Sequence, residues 1–206
     1  MSSEIITQEM IEQTISFHGH WCPGLAIGIR AAEWALQEMG KATDEEIVAV
    51  VETDMCAVDA IQYLTCCTLG KGNLIHKDYG KNAFTFYRRR DGKAARLVAR
   101  PAIYGDTGPT LAGLNTKMLD QGLSEEEGER WQKTRAAISK RIMEADLVDL
   151  FEIKTPVDPV PNMVRILAPM VCESCGETVM ETRILHFGGQ LLCIPCFEAR
   201  ESRTTM

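Results

Sequence analysis

No run in this sequence is apolar enough to cross a bilayer, and its opening residues, MSSEII, lack the basic start and apolar core of a signal peptide. Both absences lead us to expect a cytoplasmic protein. A basic excess is missing too. Lys and Arg number 22 against 29 Asp and Glu, a formal net charge of −7, which argues against a nucleic-acid partner. Internal repeats and low-complexity tracts are also lacking, so an array architecture is excluded. What remains is 206 residues with 45% hydrophobic and 25% charged content, the balance of a globular protein with room for one ordinary domain and a small one.

Cysteine is well represented, with eight in the chain. Without an export signal they point to a reducing compartment, where thiols serve metals or catalysis and disulfides are rare. Cys172, Cys175, Cys193 and Cys196 form C-x2-C, a gap of 17 residues and C-x2-C, the spacing of a tetrahedral structural zinc site. Gly188-Gly189 reads as the turn of a hairpin joining the two pairs. The run FEARESR after Cys196 is made of helix formers, so a knuckle, a hairpin and a helix are expected in treble-clef order. Four thiolates leave no open position, so this zinc organises a fold and activates nothing.

Upstream, Thr7 caps a predicted helix over 8–16, and the loop FHGHWCPG follows from Phe17 to Gly24. Leu25, Ile29, Ala32, Leu36 and Met39 mark one face of a second helix that begins at Pro23 and ends at Gly40. Ile47–Val51 predicts a buried strand leading through Cys56 into the helical stretch AVDAIQYL. Strands over 83–90 and 93–100 are joined at Asp91-Gly92. Ser124 and Glu127 open a long helix reaching Ala145, with Trp131, Ile138 and Ile142 on its core stripe. The pattern leaves Leu147–Ile153 open between strand and helix. Three prolines at 156, 159 and 161 mark a boundary. The division is a core over 1–155, a Pro-rich linker over 156–170 and a finger over 171–206. The fold class is an α+β core domain with a small C-terminal four-cysteine treble-clef zinc finger.

Within the core, Cys22 and Cys56 each stand just ahead of a helix, where the positive end of the dipole favours a thiolate. His18 and His20 precede Cys22 as HGHWC. In an extended segment residues two apart face one side, so these three donors with Cys56 make a set of two imidazoles and two thiolates, suited to zinc, nickel or another borderline metal. The plain alternative is that the thiols pack as small apolar groups and the imidazoles satisfy loop backbone. Asp59, one helical turn beyond Cys56, either orients a ligand or caps the helix. Cys66 and Cys67 read as packing at a helix end. Gly70-Lys71-Gly72-Asn73 lacks the Walker A glycine and hydroxyl and reads as a turn, and Arg88-Arg89-Arg90 reads as a solvated hairpin end. His76 has no donor neighbours and stays unassigned.

Three ordered segments, FHGHWCPGLAIGIRAA from Phe17, DMCAVDAIQ from Asp54 and CTLGKGNL from Cys67, resemble the FmdE family, named for one component of formylmethanofuran dehydrogenase. The likeness covers most of residues 10–150. It implies an α+β core, an auxiliary treble-clef finger, and a functional site lined by His18, His20, Cys22 and Cys56 with Asp59 and Cys67 near it. Cys66 departs from the glycine more usual there. The parent enzyme uses a molybdenum or tungsten pterin and iron–sulfur clusters, and this chain has no ferredoxin-like cysteine run. The resemblance therefore implies a metal-binding accessory protein with a molybdenum or tungsten enzyme as partner. Apolar finger residues such as Phe187 and Phe197 offer packing for a neighbouring subunit, so a homodimer is the expected assembly. Two other readings stay open. One is a metal- or thiol-dependent enzyme in which His18 or His20 is ligand or base. The other is a regulator whose finger, similar to small fingers of transcription-associated proteins, binds other proteins.

Overall fold

Residues 5–40, 44–163, 165 and 167–201 are described in the computed structural model. The chain divides into two compact units, Met1–Met163 and Val164–Met206.

The first unit is built around helix α2 (Pro23–Met39), which follows helix α1 (Gln8–His18). Thr7 caps α1 by accepting the Met10 N–H at 3.2 Å. Helix α1 runs two residues beyond the sequence expectation, so Phe17 and His18 are helical, and Gly19 ends it in the left-handed conformation at φ 93°. Pro23 occupies the first turn of α2. The expected stripe of α2 is buried except for half-buried Leu36, but so are Ala26, Ile27, Ala31 and Ala35, because this helix is covered on two sides. One side meets the sheet through Ile27, Ala31 and Trp34; the other meets Ile6, Ala60 and Leu64.

The sheet has five strands in the order β2-β1-β3-β4-β5. They are β1 (Ile47–Val51), β2 (Leu74–His76), β3 (Ala83–Arg88), β4 (Ala94–Ala99) and β5 (Phe151–Lys154). Helix α3 (Ala57–Thr65) makes the crossover between β1 and β2, which pair in parallel; the other pairs are antiparallel. Every residue of β1 is buried, as its run of β-branched side chains requires. Phe84 and Phe86 of β3 turn inward beneath α2, while Tyr87 joins Val48 and Val50 on the opposite face. A 3-10 segment, Pro101–Thr107, leads into helix α4 (Gly108–Gln121), and helix α5 (Glu125–Glu144) follows. The Ser124–Glu127 capping box is formed in both directions, at 3.3 and 3.1 Å. Ile138 and Ile142 are fully buried. The ambiguous 147–153 segment resolves into a single helical turn, α6 (Leu147–Leu150), followed by β5.

Two of the three hairpin arginines are not solvated. Arg88 donates to the Glu38 and Met39 carbonyls at the end of α2, and Arg89 to the carbonyls of Glu45, Pro161 and Asn162. A guanidinium carries five donors in a rigid fork, and here it closes off helix and loop carbonyls that have no ladder partner.

The second unit holds two small hairpins and a helix: β6 (Pro169–Val171) with β7 (Thr178–Met180), β8 (Ile184–Phe187) with β9 (Gln190–Cys193), then α7 (Ile194–Glu201). Gly188 and Gly189 turn the second hairpin with φ of 59° and 81°, a left-handed pair that a type I′ turn demands. Residues 202 and 203 of the expected FEARESR helix lie outside the described residues.

Candidate metal centre

Helix ends, not an extended strand, bring the upstream donors together. His18 is the last residue of α1, the left-handed Gly19 reverses the chain, and Cys22 caps α2 by accepting the Leu25 N–H on its sulfur at 3.4 Å. Cys56 precedes α3, and α3 lies tightly against α2. A Cβ placed on Gly28 of α2 would sit 2.2 Å from the Ala57 carbonyl oxygen, so only glycine permits this approach. One turn earlier, Gly24 faces Cys56 and Cys22, with 3.1 Å from an added Cβ to the Cys56 Cβ.

The result is a cluster in which one donor atom each from His18, His20, Cys22 and Cys56 lie within 4.8 Å of one another. His18 Nε2 is 4.0 Å from Cys22 Sγ. Bonds of zinc-site length set tetrahedral donors about 3.3–3.8 Å apart, so the spacing fits a small divalent ion after slight contraction. Asp59 resolves its open choice: Oδ2 is 2.7 Å from His18 Nδ1. The carboxylate places the proton on Nδ1 and leaves Nε2 as the lone pair facing Cys22, the arrangement that orients metal-binding imidazoles. His20 lies exposed against the His18 ring, centroids 4.5 Å apart. Burial, His18 and Arg135 all hold its basicity down.

The helix dipole does not govern Cys56. Burial and the neighbouring Cys22 push its thiol above the ordinary range, because two thiolates side by side repel. A divalent cation between them removes that penalty, and the donor set therefore fits a metal. Cys67 stands apart: it is fully buried, and its thiol donates to the Ile47 carbonyl at 3.4 Å. Cys66 is exposed at the end of α3 with φ 58°.

Beside the cluster opens a cavity of about 440 Å³, lined by Cys22, Cys56, Tyr104, Asn115, Trp131 and Arg135 among others. Trp131 donates its indole N–H to Asn115 at 2.8 Å, and the Arg135 guanidinium lies 4.2 Å over the Trp131 ring. Burial pushes the Tyr104 hydroxyl up, and the Cys22 and Cys56 thiols add to that rise against the opposing Asn82. Sequence reading missed Tyr104, Asn115 and Arg135 and took Trp131 for core. Only the four-residue spacing of Trp131 and Arg135 on one helix face signalled a pair.

In the second unit, Cys172, Cys175, Cys193 and Cys196 also lie within 4.8 Å of one another. Cys172 is buried and accepts the Cys193 N–H at 3.3 Å. Backbone N–H groups of Cys175 and Cys193 pull its thiol down to about 6, so it is readily deprotonated, as metal binding requires.

The family model described as "FmdE, Molybdenum formylmethanofuran dehydrogenase operon" matches residues 17–152. The chain belongs to the FmdE family. A second match, to the prokaryotic dksA/traR C4-type zinc finger, covers residues 168–202, and with the four-cysteine cluster it makes the FmdE-family chain a metal-binding protein of zinc-finger type. An Archaeoglobus fulgidus protein named "Probable S-adenosyl-L-methionine-binding protein" is 33% identical over 192 residues, 87% of this chain and 50% of the relative. The chain thus spans about half the length of that curated relative. A solved FmdE-like protein of the tungsten formylmethanofuran dehydrogenase type, from Syntrophus aciditrophicus, shares the fold, with TM-score 0.60, 22% identity, and coverage of 97% of this chain and 94% of that one. Among the described residues no helix is long and apolar enough to cross a membrane.

Proposed function

We propose that the core binds one transition ion, zinc or nickel, through His18, His20, Cys22 and Cys56, and that the finger holds a separate structural zinc in treble-clef order. The observation that carries this reading is the convergence of four soft and borderline donors with a carboxylate behind one imidazole. His20 is the exposed member, so it is the ligand that lets go first, opening a position for exchange or for a water. Eight free cysteines suit the reducing cytoplasm. Family membership supports an accessory role beside a molybdenum or tungsten enzyme.

Elemental analysis of untagged protein tests the site. Wild type is expected to carry two metals per chain and the Cys22→Ser/Cys56→Ser protein one; one zinc in both would confine metal to the finger. Asp59→Ala frees the His18 ring and is expected to weaken the core metal about 10–100-fold, read by competition with a chelating dye while the finger zinc is unaffected. Equal core affinity in the variant would reduce Asp59 to a surface partner.

A second reading, a metal-dependent enzyme, is favoured by the cavity that opens on the two thiols. A bound metal would supply a Lewis acid there, with Tyr104 as a proton-carrying side chain of the cavity wall. The name of the Archaeoglobus relative makes S-adenosyl-L-methionine one ligand to test in this cavity.

A further inference from the structure

The wall of the cavity away from the thiols has a definite chemistry. Arg135 is half-buried there, and among the described residues no carboxylate lies within ion-pair distance of it. Its guanidinium carbon lies over the Trp131 ring instead, 4.2 Å from the centroid, a contact that helps hold the group in place. Indole N–H is a donor only, so the atom of Asn115 that meets it at 2.8 Å must be the amide oxygen. Asn115 therefore turns its NH2 elsewhere, and Asn115 is itself a cavity residue. The remaining wall is mostly apolar or aromatic, with Leu111 and Tyr104, and its other amide, Asn82, is engaged with the Tyr104 hydroxyl. One cation, the Asn115 amide, a flat aromatic surface and an opposite end made of thiols form a site with two unlike ends.

We propose that this cavity binds a small organic carboxylate, its carboxylate on Arg135 and the Asn115 amide and its apolar body against Tyr104, Leu111 and Trp131. The proposal rests on the reading of the core as a metal centre that works on a small molecule, since the other end of such a ligand faces Cys22 and Cys56. A single negative charge suits the site better than a phosphate dianion. There is one unpaired cation among the cavity residues to meet it. Arg's planar fork donates to the two oxygens of a carboxylate together, which a point charge cannot match.

The test is calorimetric titration of the full metal-loaded chain with benzoate, and with benzamide as its neutral twin of the same shape. Benzoate is expected to bind at least about tenfold more tightly than benzamide, the low end for a charge-assisted pair. That ratio is expected to fall to about one in Arg135→Gln and to be only partly kept in Arg135→Lys. Arg135 lies outside the four donors, so metal content measured on the same samples is expected to stay at the wild-type value, which also reports that the variants fold. Equal binding of the two probes, a ratio that survives in Arg135→Gln, or no heat from benzoate each overturns the carboxylate site. The same titration on Cys22→Ser/Cys56→Ser protein separates the two ideas: Arg135-dependent benzoate binding there supports the carboxylate end even if the core proves to hold no metal.

Discussion

Gly28→Ala is expected to be the most damaging single change in the core, although alanine is the better helix former. The gain in helix propensity is about 1 kcal/mol. Against it stands a methyl placed 2.2 Å from the Ala57 oxygen, 2.6 Å from its Cα and 2.8 Å from its carbonyl carbon. All three are backbone atoms, so no side chain can rotate away and α3 itself must move by more than 1 Å. Overpacking that shifts backbone costs about 3 kcal/mol or more, a large share of the roughly 5–15 kcal/mol that holds a domain together. Net of the propensity gain, about 2 kcal/mol, the fall in melting temperature for a chain of this size is about 4–8 °C. Cys56 is joined to Ala57, so the same shift draws its sulfur from Cys22 and is expected to abolish metal binding at the proposed core site as well. Gly113→Ala, on α4 with nothing within 4 Å of its Cβ, is the control and is expected to stabilise slightly. Gly24→Ala divides the two effects. Its methyl meets the Cys56 Cβ at 3.1 Å and the two sulfurs at 3.6 and 3.9 Å, so the fold is expected to survive while metal affinity falls. Thermal unfolding followed by circular dichroism, with metal content measured on the same samples, checks all three. A Gly28→Ala protein as stable as wild type would mean that α2 and α3 do not cross at the distance seen here.

What the sequence made legible is what depends on neighbours in the chain. The buried run of β1, the Asp91-Gly92 hairpin, the caps at Thr7 and Ser124 and the glycine end of α2 all depend on local chemistry, and all appear where local chemistry puts them. The four candidate donors do lie together, though not for the reason their spacing suggested. Side-by-side projection from an extended segment was expected, yet His18 reaches the cluster from a helix end. Asp59 shows the limit of periodicity. Its spacing from Cys56 fixed the helix it sits on, but its partner is 41 residues away on another helix, and no spacing rule reaches that far. Helix α4 went unread because only Leu111 and Leu114 of it are buried, too few to mark a stripe. The three residues of β2 are too short a run to register. Arg88 and Arg89 misled for the opposite reason: a charge run reads as solvent-facing, but a guanidinium is also what unpaired carbonyls call for. The α+β class came through because it needs only the order and type of the main elements; the strand order 2-1-3-4-5 needed the structure.

Removing the finger metal is expected to unfold the second unit and leave the core standing. The apolar centre of that unit is Cys172, Leu192 and Cys193, with Val179, Cys196 and Phe197 packed around them. Three of those six are the thiols themselves, and Leu192 is the one fully buried aliphatic residue among them. An edge-on contact between Phe187 and Phe197, centroids 5.3 Å apart, adds about 1 kcal/mol. That is far too little to offset about 1–2 kcal/mol of backbone entropy for each residue ordered. A structural zinc contributes about 10 kcal/mol or more at neutral pH, so the ion, not the packing, decides whether these hairpins exist. Cys172→Ala takes away the most buried donor and the acceptor of the Cys193 N–H together. Hydrogen exchange of this variant, or of wild type stripped by a chelator, is expected to show the amides of β6 to α7 at unprotected rates while those of β1 and β3 stay slow. Protons compete with the metal for all four sulfurs, so lowering the pH acts in the same direction as the chelator. Protected finger amides in metal-free protein would show that the hairpins stand without their zinc, and the four cysteines would then need another purpose.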